Sequence, residues 1–170
     1  MVSKSHKYLN AVLYQVGWFS CMLIAEPICG LIATILMIVL HVTADVDWRK
    51  EIIFIILAAS LGYGMDLAIS KMGYLDLTIG SSSTFYLVLL WLLFSTSLRS
   101  SMNLVFSKRK WAILLGICAP WAYWVGQNLG RVHYTEPFIS SMVYHAFSWA
   151  LVMYCLTILN HKLFADHEKL

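Results

Sequence analysis

The chain alternates long apolar runs with short polar joints, and that rhythm leaves few folds open to it. The runs cover about residues 8–25, 28–43, 51–71, 85–106, 111–130 and 138–159. Crossing a bilayer takes roughly 17–25 mostly apolar residues in a helix. Helices are the expected form because hydrocarbon offers no water to backbone N–H and C=O groups. The chain therefore predicts an all-α membrane protein: a compact bundle of about six transmembrane helices, one integral-membrane domain over residues 1–170. Composition agrees. The chain is 60% hydrophobic and 12% charged, whereas a soluble domain is about half apolar and about a quarter charged.

The joints set the topology. Glu26-Pro27 separates the first two runs, and proline favours the first turn of a new helix. From Tyr8 to Thr43 these runs span 36 residues, too many for one crossing, so a tight helical hairpin is predicted. Asp45–Lys50 is a polar loop. Met72–Ser83 is turn-rich, and Ser83 or Thr84 can cap the helix that follows. Ser107–Lys110, Arg131–Pro137 and the tail Asn160–Leu170 complete the polar set. With six crossings, Lys4, Lys7, Arg49, Lys50, Lys108, Arg109, Lys110, Lys162 and Lys169 share one side. Lys71 and Arg131 take the other, and Arg99 lies within a run. Nine against two is a positive-inside bias that predicts a multi-pass membrane protein with both termini cytoplasmic.

Several function classes drop out. The net charge of +3 sits in short loops and marks topology, so no nucleic-acid partner is expected. The four cysteines lie inside apolar runs without a CxxC pair and read as small buried hydrophobes. The histidines form no HExxH or HxxxH pattern, and neither a metal nor a cofactor is expected. No nucleophile elbow points to a serine hydrolase. Gly80-Ser81-Ser82-Ser83 reads as a loop and cap before it reads as a phosphate cradle. Lys4 and Lys7 precede an apolar run with no clean cleavage site, so the first run reads as an uncleaved span. The two triplets of runs show no repeat, which weakens an inverted-repeat transporter.

One carboxylate stands out. Asp66 lies fifteen residues after Glu51, roughly 22 Å along a helix and inside a core of about 30 Å. An ionisable group at such a depth is a functional-site hypothesis by default. Topology puts it in the outer third. Gly62, Tyr63 and Ser70 share its face, and the glycine lets another helix come close. Gln127, Asn128 and Arg131 end the fifth run on the same side, and Glu136 lies in the adjoining loop. His145 sits about two turns into the sixth run, on a face with Ser141, Ser148 and Trp149. Asp66 and His145 are thus the catalytic candidates, and Gln127, Asn128, Arg131 and Glu136 the substrate-binding ones. Together they could bind a polar headgroup or relay a proton. The bland alternative has Asp66 reaching the interface or pairing with Arg131 to lock helices. Arg99, near the inner ends, is a candidate for a lipid phosphate, or it snorkels to the headgroups.

Tyr14-Gln15-Val16-Gly17-Trp18-Phe19, Gly62 with Asp66, Leu90-Trp91 and Phe94-Ser95-Thr96-Ser97-Leu98 follow one another at set distances. The fifth run adds Gly116-x-x-Ala119-Pro120-Trp121-Ala122-Tyr123-x-x-Gly126-x-x-Leu129-Gly130. This layout resembles the small bacterial membrane proteins grouped as domain of unknown function 2878. The family pattern has Asn-His after the leucine where this chain has Arg99-Ser100. The resemblance implies a bacterial inner-membrane protein without an established activity, with members encoded near lipid-modifying genes. A lipid-associated role therefore leads, as lipid-modifying enzyme or accessory subunit. The partners it implies are membrane lipids and either a second copy or a membrane enzyme. A small proton-coupled permease and a non-catalytic assembly partner are the alternatives.

Overall fold

The computed structural model describes residues 4–24, 27–43, 47–77 and 85–165. Helix α1 spans Lys4–Phe19 and runs on as a π-helical turn, Ser20–Ile24. Helix α2 spans Pro27–Thr43, α3 Trp48–Lys71, α4 Phe85–Leu98 and α5 Asn103–Phe106. Helix α6 spans Arg109–Cys118, α7 Pro120–Asn128 and α8 Phe138–Phe164. Among the described residues the chain is all-helical apart from two short strands. Each apolar run appears as a helix or a pair of helices, and α3 and α8 are long and apolar enough to cross a membrane. The expected caps at Ser83 and Thr84, the Gly80–Ser83 loop and Glu26 lie outside the described residues.

Two runs end or break where their own chemistry dictates. The fourth stops at Leu98 instead of Phe106. Ser95, Thr96 and Ser97 turn their hydroxyls back onto the carbonyls of Trp91, Leu93 and Phe94, each at 2.7 Å. Such bonds compete with the helical ladder. The Ser97 carbonyl then accepts from Ser100 and Met102, at 3.1 and 2.8 Å, and closes a turn. The fifth run divides at Ala119 because Pro120 has no N–H for the preceding turn. Proline suits the first position of the new helix, α7.

The strands were not expected. Strand β1, Leu75–Asp76, pairs antiparallel with β2, His133–Tyr134, with Leu75 opposite Tyr134. Residues this few show no sequence periodicity. The ladder ties the loop after α3 to the loop before α8. Thr135 extends it, donating its N–H to the Tyr74 carbonyl at 3.3 Å and its hydroxyl to the Gly73 carbonyl. Gly73 and Gly130 turn the chain out of α3 and α7 at φ +81° and +69°, a region closed to most other residues.

Helix α4 is the hub and packs on α1, α2 and α3, while α8 packs on α3 and α6. From Trp91 to Leu98 all but one of its residues are buried. At Gly116 an added Cβ would sit 2.8 Å from the Trp149 carbonyl oxygen, so the absence of a side chain lets α6 and α8 pack closely. Much of the outer surface of the helices is apolar as well. Ile32, Ile35, Leu36 and Val39 on α2, Ile53, Ile56 and Leu57 on α3, and Ile139, Val143, Phe147 and Leu151 on α8 are all exposed.

Candidate functional site

Asp66 is 0% exposed. Its helix, α3, aims it at the middle of the bundle, where one oxygen takes two hydrogen bonds. The Trp91 indole N–H donates to Oδ2 at 2.6 Å and the Tyr123 hydroxyl donates to the same atom at 2.7 Å. The other oxygen, Oδ1, lies 3.4 Å from His145 Nε2. His145 is also 0% exposed. Its Nδ1 meets the Tyr134 hydroxyl at 2.7 Å. A carboxylate this deep is costly unless donors meet it; here α4 and α7 supply two donors to Oδ2, while Oδ1 and His145 Nε2 face each other without a hydrogen-bond partner.

Each partner has a local reason for its place. Gly62, one turn before Asp66, has no side chain, and a Cβ there would overlap the Trp91 ring. That clearance brings the indole edge to Asp66. Trp149 stacks on the Trp91 ring at 4.4 Å and 19°. Ser141, His145 and Trp149 fall at four-residue spacing along the buried face of α8. Tyr134 is set by the strand ladder, and its N–H donates to Gln127 Oε1 at 2.7 Å. Burial first, then the Asp66 carboxylate, push the Tyr134 phenol well above its ordinary value, so it keeps its proton.

Beside this network lies a cavity of about 260 Å³. Tyr14, Trp18 and Met22 line it from α1 and the π-helical turn, Leu90, Trp91 and Phe94 from α4, and Tyr123 and Trp149 from α7 and α8. Almost all of its wall is hydrocarbon or aromatic ring. Trp91 and Tyr123 therefore have two roles: they form the wall, and they spend their polar hydrogens on Asp66 behind it.

The candidate residues divide. Asp66 and His145 come together as expected. Arg131 does not pair with Asp66. Its Nε donates to the Met22 carbonyl at 3.0 Å, and its own carbonyl accepts from Tyr86 at 2.5 Å. Gln127 serves the β2 backbone. Asn128 is exposed and donates to the Trp124 carbonyl at 2.8 Å. Glu136 is exposed and accepts from the Phe138 N–H at 3.0 Å, closing the start of α8. The expected outer cluster is thus a buried core of Asp66 and His145 with separately engaged residues around it. The reason is geometric: Gly130 turns the chain so that Arg131 meets the π-helical turn that follows α1, and the short polar side chains bond their own segments first.

Arg99 has a partner that the sequence did not reveal. Its Nε donates to Glu51 Oε1 at 2.6 Å and its Nη1 to Asn160 Oδ1 at 2.5 Å. Its guanidinium lies 3.3 Å from the centre of the Phe164 ring. Glu51 Oε2 sits 3.0 Å from His41 Nε2. Arg99 therefore neither snorkels freely nor offers its whole fork to a phosphate. It clamps the helix ends at the far side of the bundle from the strands. Trp91 and Tyr123 as partners of Asp66, and Tyr134 as the partner of His145, were likewise missed, since an aromatic side chain in such a sequence looks like packing or an interface anchor. Gly62 at i−4 from Asp66 was the one available signal.

Among the described residues no group of three or more His, Cys, Asp or Glu side chains is placed to hold a metal ion. The family model described as protein of unknown function (DUF2878) matches residues 7–155. Neither the curated proteins nor the solved structures returned a match to the chain.

Proposed function

Because the chain belongs to the family described as protein of unknown function (DUF2878), its own geometry has to supply the functional reading, and we propose that it is an integral-membrane protein that holds one lipid chain in the cavity beside Asp66. The single observation that carries this is the cavity wall. Trp91 and Tyr123 face a space of about 260 Å³ and are fixed from behind by one buried carboxylate. A volume just below the roughly 300–1,000 Å³ of small-molecule pockets, with an apolar lining, suits hydrocarbon.

The apolar exteriors of α2, α3 and α8 support a lipid surround, since contiguous apolar surface of this extent is rare on water-soluble monomers. The charge bias supports six crossings with both termini in the cytoplasm of a bacterial inner membrane. Helix α1 with its π-helical turn, and α6 with α7, reach crossing length as compound segments. Asp66 and His145 act in this reading as positioning residues that hold the wall. A held chain serves a lipid-modifying enzyme or an accessory subunit that presents lipid to one.

The test is quenching of the cavity tryptophans by a lipid with a brominated chain, in neutral detergent. Wild-type protein should show saturable quenching. Ala122→Phe, which fills the cavity, should abolish it. Equal quenching of both proteins would sink the proposal.

A second reading has one observation in its favour. Tyr134, His145, Asp66 and Tyr123 form a file of proton-carrying groups between the strand loop and the cavity wall, as a proton-coupled carrier would need. Proteoliposomes should then show proton uptake that Asp66→Asn removes. Uptake equal to that of empty vesicles excludes this reading.

A further inference from the structure

Asn10, Tyr14, Trp18 and Met22 fall at four-residue spacing along α1 and the turn that continues it, so they share one side. The two ends of this row are bonded across to other segments. Asn10 Oδ1 accepts from the Ser101 hydroxyl at 2.8 Å, and the Met22 carbonyl accepts from Arg131 Nε at 3.0 Å. Between these ties Tyr14 and Trp18 line the cavity. Leu115 and Cys118 of α6 and Ala122 of α7 line it from the other wall, and α4 supplies the floor. Helix α1 packs chiefly on α2 and α4, and α6 chiefly on α8. The cavity is the gap this leaves between α1 and the α6–α7 segment.

The gap opens sideways. Cys118 and Ala122 line the cavity and are also exposed at the surface, while Tyr14 and Trp18 are half-buried. The surface beside the opening is apolar: Val12 and Val16 on α1, and Leu114 and Ile117 on α6, are exposed. Cys118 ends α6 after ten residues, and α7 ends ten residues further on at Asn128. The opening therefore lies halfway along the segment, away from the loops at both ends.

The space is too small for a whole lipid. At about 260 Å³ it falls below the roughly 300–1,000 Å³ of sites that enclose a small molecule. Among the described residues no charged side chain lines it. The head of a lipid thus stays outside, and the opening has to pass a chain. From Tyr14 to Met22 the gap runs roughly 12 Å along α1, at about 1.5 Å per residue. In a bundle that spans a membrane, bilayer chains lie close to that same direction.

We propose that the cavity fills from the side: a chain of a lipid resident in the bilayer passes between α1 and the α6–α7 segment at Cys118, with its head left outside the cavity. This rests on the lipid-chain reading above and adds the source of the chain and its route. The bonds at Asn10 and Met22 bridge the two axial ends, and the side between them is the way in.

The test uses the native cysteines and a phosphatidylcholine with brominated chains, in neutral detergent. N-ethylmaleimide labels exposed thiols, and peptide mass spectrometry reads Cys118 separately from Cys29, which is exposed on α2 and does not line the cavity. The lipid should slow labelling of Cys118 about tenfold at about ten times its Kd and leave Cys29 unchanged. Prior labelling should abolish saturable tryptophan quenching by the lipid in wild-type protein, and should leave it intact in Cys118→Ala, which has no thiol at the opening. Quenching that survives with Cys118 fully labelled would overturn side entry and leave the lipid-chain reading standing. So would labelling of Cys118 that bound lipid does not slow, or a Cys118 that resists the reagent in lipid-free protein. No saturable quenching of unlabelled protein would overturn both readings.

Discussion

At the scale of single residues, the bundle turns on how a carboxylate is kept in an apolar interior. Asp66 receives a Trp and a Tyr donor on one oxygen, and both donors lose their only acceptor if it goes. Asp66→Ala should therefore destabilise the protein by about 2–6 kcal/mol, at roughly 1–3 kcal/mol for each orphaned polar group. Asp66→Asn keeps an acceptor oxygen for both and should stay within about 1 kcal/mol of the wild type. Thermal unfolding in detergent separates them, at roughly 2–4 °C per kcal/mol for a chain of this length. Equal melting of the two variants would mean that the donors find other partners. Asp66 and His145 were legible because a charge or an imidazole in an apolar run has few inexpensive explanations. Trp91 and Tyr123 were not, because the sequence does not say which way an indole or phenol spends its hydrogen. The expected Asp66–Arg131 pair fails for a related reason: depth along a helix fixes height, and the turn at Gly130 fixes direction.

At the scale of elements, hydropathy placed six segments but not their ends. The fourth stops where three hydroxyls compete with the ladder, and the strand pair is too short for any period to register. The end of α4 also frees Arg99 to cross to Glu51 and Asn160, so the clamp and the early stop are one structure. Glu51 is fully buried while Arg99 keeps 19% of its side chain exposed. Removing one partner of such a pair strands the other charge. Glu51→Leu alone should cost about 3–5 kcal/mol, and Arg99→Met about the same or somewhat less. The double variant should cost less than the sum of the two, since no charge is left alone. Strict additivity in thermal unfolding would show that the pair contributes no coupling. Helix α3 carries a second constraint in Gly62. Gly62→Val drives two methyls against the Trp91 ring and should cost at least about 1–3 kcal/mol. It should also weaken chain binding, because the ring it displaces is the cavity wall.

At the scale of the whole molecule, an apolar exterior and an apolar core make the bundle's orientation depend on its loops. In the proposed arrangement of six crossings the 131–137 loop lies opposite the 107–110 loop, with α6 and α7 forming one crossing between them. That compound segment is the weakest of the six in appearance, because Pro120 divides it into pieces of ten and nine residues. Yet Ala119 donates to the Gly116 carbonyl at 3.1 Å and Ala122 to the Ala119 carbonyl at 2.9 Å, so the break still leaves the turn bonded. Lys108, Arg109 and Lys110 stand at one end of it and Arg131 alone at the other. His133 and Ser107 are both exposed, and each can carry a reporter thiol in a background with the four native cysteines changed to alanine. A membrane-impermeant maleimide applied to intact spheroplasts should label His133→Cys at once and Ser107→Cys only after permeabilisation. Labelling of both without permeabilisation would mean that α6 and α7 do not cross.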